Sequence, residues 1–255
     1  MASSLGVVIP AYRSDTERLV EYVHAVDDHL NPAEIRIELD APREGTAEQL
    51  VGLPATVNTV PYRRGKGGAI TDGFEDLETD VLAFADADGS TPARELVKVV
   101  SAVTDGRADL ATGSRRHPDA KVATHQTFAR RHLGDSFAWL ARRLLTVNLY
   151  DYQCGAKAIT AEGWKTVRRH LYESGFAWDV ELIAMAGALD LCVEEVPVVW
   201  YDRPGSTVSP MRTSLKLARA LFVARHRAKR LSDSRIHTAI AQRRNESTAL
   251  VEQND

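Results

Sequence analysis

Two aspartates in alternate positions, Asp86 and Asp88, sit in the segment Asp86-Ala87-Asp88-Gly89-Ser90, which closes the apolar run VLAFAD at 81–86. Carboxylates so spaced at a strand end can hold a hard divalent cation against a diphosphate, one of them through water. The cation then neutralises charge on a departing diphosphate. A DxD alone equally suits a solvated acidic turn, and the apolar strand before it favours the metal. A second segment, RRGKGG at 63–68, carries Gly65, Lys66, Gly67 and Gly68. Such a loop can bring backbone N–H groups and an ammonium to a phosphate at a helix start, or can simply be a flexible lead into that helix. It is no Walker A loop, because the lysine precedes two glycines and no Ser or Thr follows. A dinucleotide fingerprint is absent too, since the first strand ends in IPAYR and not in a glycine-rich turn.

These side chains meet only if the segments before them are strands of one sheet. LGVVIP (5–10), IRIEL (35–39), ATVNTV (55–60), VLAFAD (81–86) and ADLATG (108–113) read as strands. Between them lie a helix to Leu30, capped by Ser14 or Asp15 and presenting Leu19, Val20, Val23 and Val26, a loop and helix over 65–77, and a helix opened by Thr91-Pro92, with Pro at its first position. This β/α alternation implies a mostly parallel, Rossmann-like sheet covered by helices. Ligands of open α/β sheets bind at the carboxyl ends of strands, where Pro10-Ala11-Tyr12, Asp40 and the DADGS segment fall. The second half reads as a long helix over Thr124–Leu149, a strand at 155–160, a helix at 179–189, a strand pair over 191–200 broken at Pro197, a turn-rich loop at 202–210 and a last helix at 213–231. His24, His29 and His132 read as surface or boundary residues, Phe137 and Trp139 as core, and Cys154 as a small buried filler.

A composition of 44% hydrophobic and 26% charged residues in a 255-residue chain is that of a globular protein, which excludes disordered and fibrous classes. Charge is unevenly spread. Residues 1–210 hold 22 Lys and Arg against 31 Asp and Glu, whereas residues 211–255 hold 10 against 4. The acidic body argues against nucleic acid as a partner. Two cysteines, Cys154 and Cys192, make neither a disulfide framework nor a zinc spacing, so a reduced, intracellular setting is expected. The first ten residues lack the positive start of a signal peptide. The longest near-apolar stretch, Leu182–Leu189, is far short of the ~20 residues of a membrane span.

Taken together, VVIPAYR, Asp40, RRGKGGAITDGF, DADGST and GSRR resemble the GT-A glycosyltransferases of family two. DYQCGAKAIT (151–160), GFAWDVEL (175–182), EEVPVVW (194–200) and RPGSTVS (203–209) narrow the resemblance to the dolichyl-phosphate mannose and glucose synthases. It covers residues 5–210 and implies an α/β GT-A fold. Residue by residue, it puts Pro10, Ala11, Tyr12 and Asp40 around the nucleoside of a nucleotide-sugar donor. Asp86, Ala87 and Asp88 fall at the donor diphosphate with Mg²⁺ or Mn²⁺ on the two aspartates, and Lys66 falls nearby. Arg115, Arg203, one of Arg130 and Arg131, Asp151, Gln153, Lys157 and Glu181 fall on the acceptor side, Asp88, Arg115 and Arg203 being the catalytic set. Arginines suit an acceptor phosphate because a guanidinium grips it bidentately. Three positions depart from the pattern: Arg13-Ser14 replace Asn-Glu, Leu39-Asp40-Ala41-Pro42 replace Asp-Asp-Gly-Ser, and Thr207 replaces a lysine.

The expected reaction is metal-dependent, inverting transfer of a hexose from GDP-mannose or UDP-glucose to a polyprenyl or dolichyl phosphate. An ionised phosphate acceptor needs no strong base. Transfer to a sugar hydroxyl would need one, for which Asp179 or Glu181 are candidates, Asp179 being as well suited to cap a helix. A catalytically silent partner subunit and a nucleotidyltransferase are the remaining alternatives. Residues 1–210 are expected to form the catalytic domain and 232–255 a polar, disordered tail. The basic amphipathic helix at 211–231 would rest the protein on the cytoplasmic face of a membrane, or else pack on the domain with its arginines solvated.

Overall fold

β-Branched runs build a seven-stranded sheet in the order β3-β2-β1-β4-β7-β5-β8. The strands are β1 (Leu5–Tyr12), β2 (Glu34–Asp40), β3 (Thr56–Val60), β4 (Val81–Ala85), β5 (Leu110–Ser114), β7 (Ala156–Thr160) and β8 (Val193–Pro197). A two-stranded sheet pairs β6 (Lys121–Val122) with β9 (Val199–Trp200). The computed structural model describes residues 3–122, 128–202, 210–231 and 248–253, without the side chains of 128–133 and 210–215.

Period-2 alternation divides the core between the two faces of the large sheet. Val7 and Ile9 of β1, Ile35, Ile37 and Leu39 of β2, and Val81, Ala83 and Ala85 of β4 pack on one face. That face is covered by α1 (Thr16–Leu30) through Leu19, Val23 and Val26, and by α3 (Ala93–Thr104) through Leu96 and Val99. Asp15 caps α1 by accepting from Arg18 N, as its sequence position suggests. Val8, Leu82 and Phe84 point to the other face. There they meet α2 (Lys66–Glu75), α4 (Phe128–Leu144), α5 (Ala161–Val167), α6 (Trp178–Ala188) and α7 (Pro210–Leu231).

Several elements differ from the sequence reading. Pro92 is the N-cap of α3 and not its first helical residue; the Pro92 carbonyl accepts from Glu95 N and Leu96 N. α4 is shorter than the expected Thr124–Leu149, and its Trp139 lies 55% exposed beneath the Arg143 guanidinium instead of in the core. α5 was not anticipated; Thr160 caps it through Gly163 N. For α7 the sequence leaves two readings open, rest on a membrane or packing on the domain. Its apolar stripe is covered by protein: Leu221 and Ala224 are buried with Ala138 and Ala141 of α4 and Ile183 of α6, and Leu217 is buried as well. The apolar face thus packs on the domain, the second of the two readings given for this helix, and among the described side chains of α7 Phe222 is a large apolar one left exposed. Residues 248–253 are likewise not a free tail. Leu250 is buried, and its N–H donates to the Leu171 carbonyl. Among the described residues no helix is long and apolar enough to cross a membrane.

Candidate active site

β1, β2, β4 and β5 run parallel, so Tyr12, Asp40, Asp86 and Arg115 emerge at one edge of the sheet. β7 is inserted antiparallel between β4 and β5, pairing Phe84 and Thr112 with Lys157 and Ala85 with Ala156. An antiparallel strand brings its leading end to the edge where parallel neighbours finish. The DYQCG segment thereby arrives beside the DADGS segment.

Asp86 N donates to the Gly155 carbonyl at 2.9 Å. Its carboxylate lies over Gly155, where a Cβ would overlap both Oδ2 and Cγ. Oδ1 of Asp86 is 2.9 Å from Lys66 Nζ. Asp88 is exposed, and its Oδ1 accepts from Ser90 N at 2.8 Å. Desolvation and the facing Asp86 carboxylate raise the Asp88 carboxyl above the usual range, and a cation between them would relieve that repulsion. Among the described residues no group of three or more His, Cys, Asp or Glu could hold a metal ion. Two carboxylates could supply part of a hard cation's coordination, the rest coming from water or diphosphate oxygens.

Behind the acid pair lies a buried charge ladder. Asp179 accepts from Lys66 through Oδ2 at 2.9 Å and from Lys157 through Oδ1 at 2.7 Å. Lys157 also donates to the Cys154 carbonyl at 2.7 Å. The two ammonium groups lie 5.0 and 5.6 Å from the Phe84 ring centroid. Burial works against charge on Asp179, but Lys157 and Lys66 outweigh it and hold the carboxyl below its ordinary value. Burial also opposes charge on Lys66, and Asp179 with Asp86 outweighs that, holding the ammonium above its ordinary value. Two sequence readings change as a result. Asp179 lies in the first turn of α6, whose N-cap is Ala177, and both its oxygens serve lysines, so it neither caps nor acts as a free base. Lys157, 1% exposed, cannot touch an acceptor.

Ahead of α2, Gly65 has φ 92°, a conformation that favours glycine. Its N–H donates to Asp40 Oδ2 at 3.0 Å, and Arg64 Nε donates to Oδ1 at 2.8 Å. Arg64 also binds Glu38 and Asp72, each at 2.8 Å. Asp40 is thus buried and tied to Arg64, and the carboxylate expected at the nucleoside is not presented freely. Tyr12, half-buried beside half-buried Pro10 and buried Ala11, is covered by the Arg63 guanidinium at 4.1 Å from its ring centroid. The residues after the paired Tyr12 and Asp40 are both left-handed, Arg13 at φ 50° and Ala41 at φ 40°. These are the positions where the resemblance leads one to expect Asn and Gly, the residues that tolerate that conformation best.

Arg115 Nε and Nη2 donate to Asp151 at 2.7 and 3.0 Å, and the guanidinium lies 5.4 Å from the Trp200 ring centroid. Burial opposes ionisation of Asp151, but Arg115 outweighs it and the carboxyl falls well below its usual range. Asp151 therefore orients Arg115 and is not free for an acceptor. Gln153 is partly exposed, its backbone N–H bound to Asp151. Glu181 does not face the acceptor side either: it is 1% exposed, accepts from Tyr172 N and Glu173 N at 2.8 Å, and pairs with Arg227. Arg203 and Thr207 lie outside the described residues, as do the side chains of Arg130, Arg131 and His132. Cys154 is buried as expected, and burial pushes its thiol up to about 11.

Sequence reasoning did not single out Gly155, Arg64 or Arg227. Gly155 had a readable signal, a glycine directly before a strand whose neighbours reach the site. The chain matches the family described as glycosyl transferase family 2 over residues 6–174. It is 30% identical to the glycosyltransferase AglD of Haloferax volcanii over 83% of this chain and 35% of that protein, so it spans about a third of AglD. It is 30% identical to the dolichyl-phosphate beta-glucosyltransferase of Mus musculus, with 88% of this chain and 75% of that protein aligned. The Drosophila melanogaster dolichyl-phosphate beta-glucosyltransferase is 29% identical over 86% and 73%. Among solved structures, glucosyl-3-phosphoglycerate synthase from Mycobacterium tuberculosis with Mn²⁺, uridine-diphosphate and glucosyl-3-phosphoglycerate superposes with TM-score 0.63 at 16% identity, covering 87% of this chain and 80% of that one. Mannosyl-3-phosphoglycerate synthase from Rubrobacter xylanophilus gives 0.65 at 16% identity, covering 95% and 77%. These two likenesses show the shared GT-A fold. The match over residues 6–174 and the 30% identity to the mouse enzyme establish that the chain belongs to glycosyl transferase family 2.

Proposed function

We propose that the protein transfers a hexose from a nucleotide sugar to a polyprenyl or dolichyl phosphate with inversion at the anomeric carbon. The observation that carries this reading is the open Asp86–Asp88 pair, with the Lys66 ammonium 2.9 Å from Asp86 and Arg115 held on the same edge by Asp151. The names of the mouse and fly relatives support glucose as the sugar and dolichyl phosphate as the acceptor. GDP-mannose is the other donor to test. Asp86 and Asp88 would hold Mg²⁺ or Mn²⁺, which when bound neutralises charge on the donor diphosphate.

The chain's own groups account for the rest. Lys66, kept cationic by Asp179 and Asp86, adds positive charge where the leaving diphosphate gains it. Arg115, preoriented by the two hydrogen bonds it donates to Asp151, presents a guanidinium that suits a phosphate. An ionised phosphate oxygen of the acceptor forms the new bond to the anomeric carbon. The bond from that carbon to the donor diphosphate breaks, and its electron pair leaves with the nucleoside diphosphate. No proton has to be removed. That suits a site whose buried Asp179 already serves two lysines, and it counts against transfer to a sugar hydroxyl.

Purified protein with UDP-glucose or GDP-mannose, Mg²⁺ or Mn²⁺ and dolichyl phosphate is expected to form a lipid-linked sugar. Replacing dolichyl phosphate by dolichol should abolish it. Equal turnover with the free alcohol, or unchanged turnover in Asp88→Ala, overturns the reading. Failure to bind any nucleoside diphosphate with Mn²⁺ by calorimetry would favour a silent partner subunit. The lipid acceptor calls for peripheral contact with a membrane, on its cytoplasmic face. With the apolar stripe of α7 covered, that contact is assigned to its outer side, where Phe222, Lys216 and Arg219 are exposed. Flotation with anionic liposomes, abolished by Phe222→Ala with Lys216→Ala and Arg219→Ala, is the expected result.

A further inference from the structure

We infer that Arg227 of α7 is a positioning residue for the donor subsite, acting through Glu181 and the backbone of residues 172–175 on the first turn of α2. The chain of contacts is continuous. Arg227 Nη1 pairs with Glu181 Oε1, and its guanidinium stacks 4.2 Å from the Tyr172 ring centroid. Glu181 Oε2 accepts from Tyr172 N and Glu173 N, both at 2.8 Å. Both residues of the ion pair thus grip the start of the 172–175 segment.

That segment is the seat of the glycine loop. The Ser174 carbonyl accepts from Gly68 N at 3.1 Å. A Cβ on Gly65 would overlap Ser174 O, and one on Gly67 would overlap Glu173 O and crowd Trp178. Gly65 and Gly67, on either side of Lys66, are therefore fitted against this backbone, which accounts for them better than flexibility does. Any shift of residues 172–175 moves the turn that carries Lys66, and with it the ammonium that lies between Asp86 and Asp179. Glu181, carried over from the resemblance as an acceptor contact, becomes the anchor of the donor loop. Arg227, which in sequence is one more charge in a basic run, becomes its lock.

The inference rests on the proposed nucleotide-sugar reading, and its test separates the two. Full-length protein is titrated with UDP and GDP in the presence of Mn²⁺ by calorimetry, and amide hydrogen exchange is followed in the absence of nucleotide. Arg227→Met is expected to weaken nucleoside-diphosphate binding on the order of tenfold. It should speed exchange at Tyr172, Glu173 and Gly68 and leave KM for the lipid phosphate unchanged. Arg227→Lys should recover most of the affinity, and Lys165→Met, an exposed position on α5, should behave as the wild type. If burial of an unpaired Glu181 unfolds Arg227→Met, the double variant with Glu181→Gln removes that charge and is expected to show the same loss of affinity. A folded variant with unchanged Gly68 exchange and unchanged affinity overturns the inference. No nucleotide binding by the wild type overturns instead the functional reading beneath it.

Discussion

The carboxylate of Asp86 occupies the volume above the Gly155 α-carbon that any other residue would fill with its Cβ. Gly155 does not sit at positive φ, so its requirement is for space and not for backbone freedom. Gly155→Ala should therefore fold and yet displace Asp86. Turnover should fall on the order of 100-fold, as for a misplacement near 1 Å. Steady-state kinetics with a melting curve checks this: a large loss of Tm alongside the lost activity would point to general damage of β7 instead.

Asp151 makes the protein's acid tolerance specific. Arg115 holds its carboxyl below the usual range against the opposing effect of burial. The stabilisation is complete above the unfolded-chain value of about 4 and is lost as pH falls below it toward the depressed folded value. Asp151→Asn should lower stability near neutrality and flatten its decline in acid. Urea unfolding midpoints from about pH 6 to about pH 2 read both effects.

Ala41 adopts φ 40°, a conformation in which a Cβ costs about 1–2 kcal/mol. Ala41→Gly should relieve this, less the added entropy of the unfolded chain, for a net gain of up to about 1 kcal/mol. A Tm rise of roughly 2–4 °C is the expected reading for a chain of this size.

Leu221, fully buried between α7 and the rest of the second core, should behave as a core residue of the domain. Leu221→Ala should lose roughly 2–5 kcal/mol in urea unfolding. A loss within about 0.5 kcal/mol, typical of surface positions, would mean that α7 is only loosely attached.

Local pattern carried most of the scaffold. The apolar runs at 5–10, 35–39 and 81–86 marked buried strands, and of the two cap candidates, Ser14 and Asp15, it is Asp15 that caps α1. The direction of β7 is not written in Ala156–Thr160, because whether a strand joins its sheet parallel or antiparallel depends on where its neighbours lie. α5, seven residues long, is too short to show a helical period. The site was half legible. The family resemblance marked Lys157, Asp151 and Glu181 as residues that matter, yet a resemblance does not say what a side chain touches. All three turned out to be held by protein: Lys157 by Asp179, Asp151 by Arg115, Glu181 by Arg227. Arg227 reads in sequence as one of the solvated charges of a basic helix, and the ion pair to buried Glu181 is visible only in the fold.

The position of β7 also sets when competence can arise. β4 and β5 follow one another in the chain, but the place between them stays open until residues 156–160 are made and inserted. A nascent chain that has passed residue 114 already carries the whole DADGS segment and the glycine loop. It lacks the Gly155 seat for Asp86 and both the Asp179 and Lys157 steps of the ladder behind Lys66. The acid pair is therefore synthesised early and armed late, by the strand that closes the middle of the sheet, so a partly translated or truncated chain has the motif without the machine.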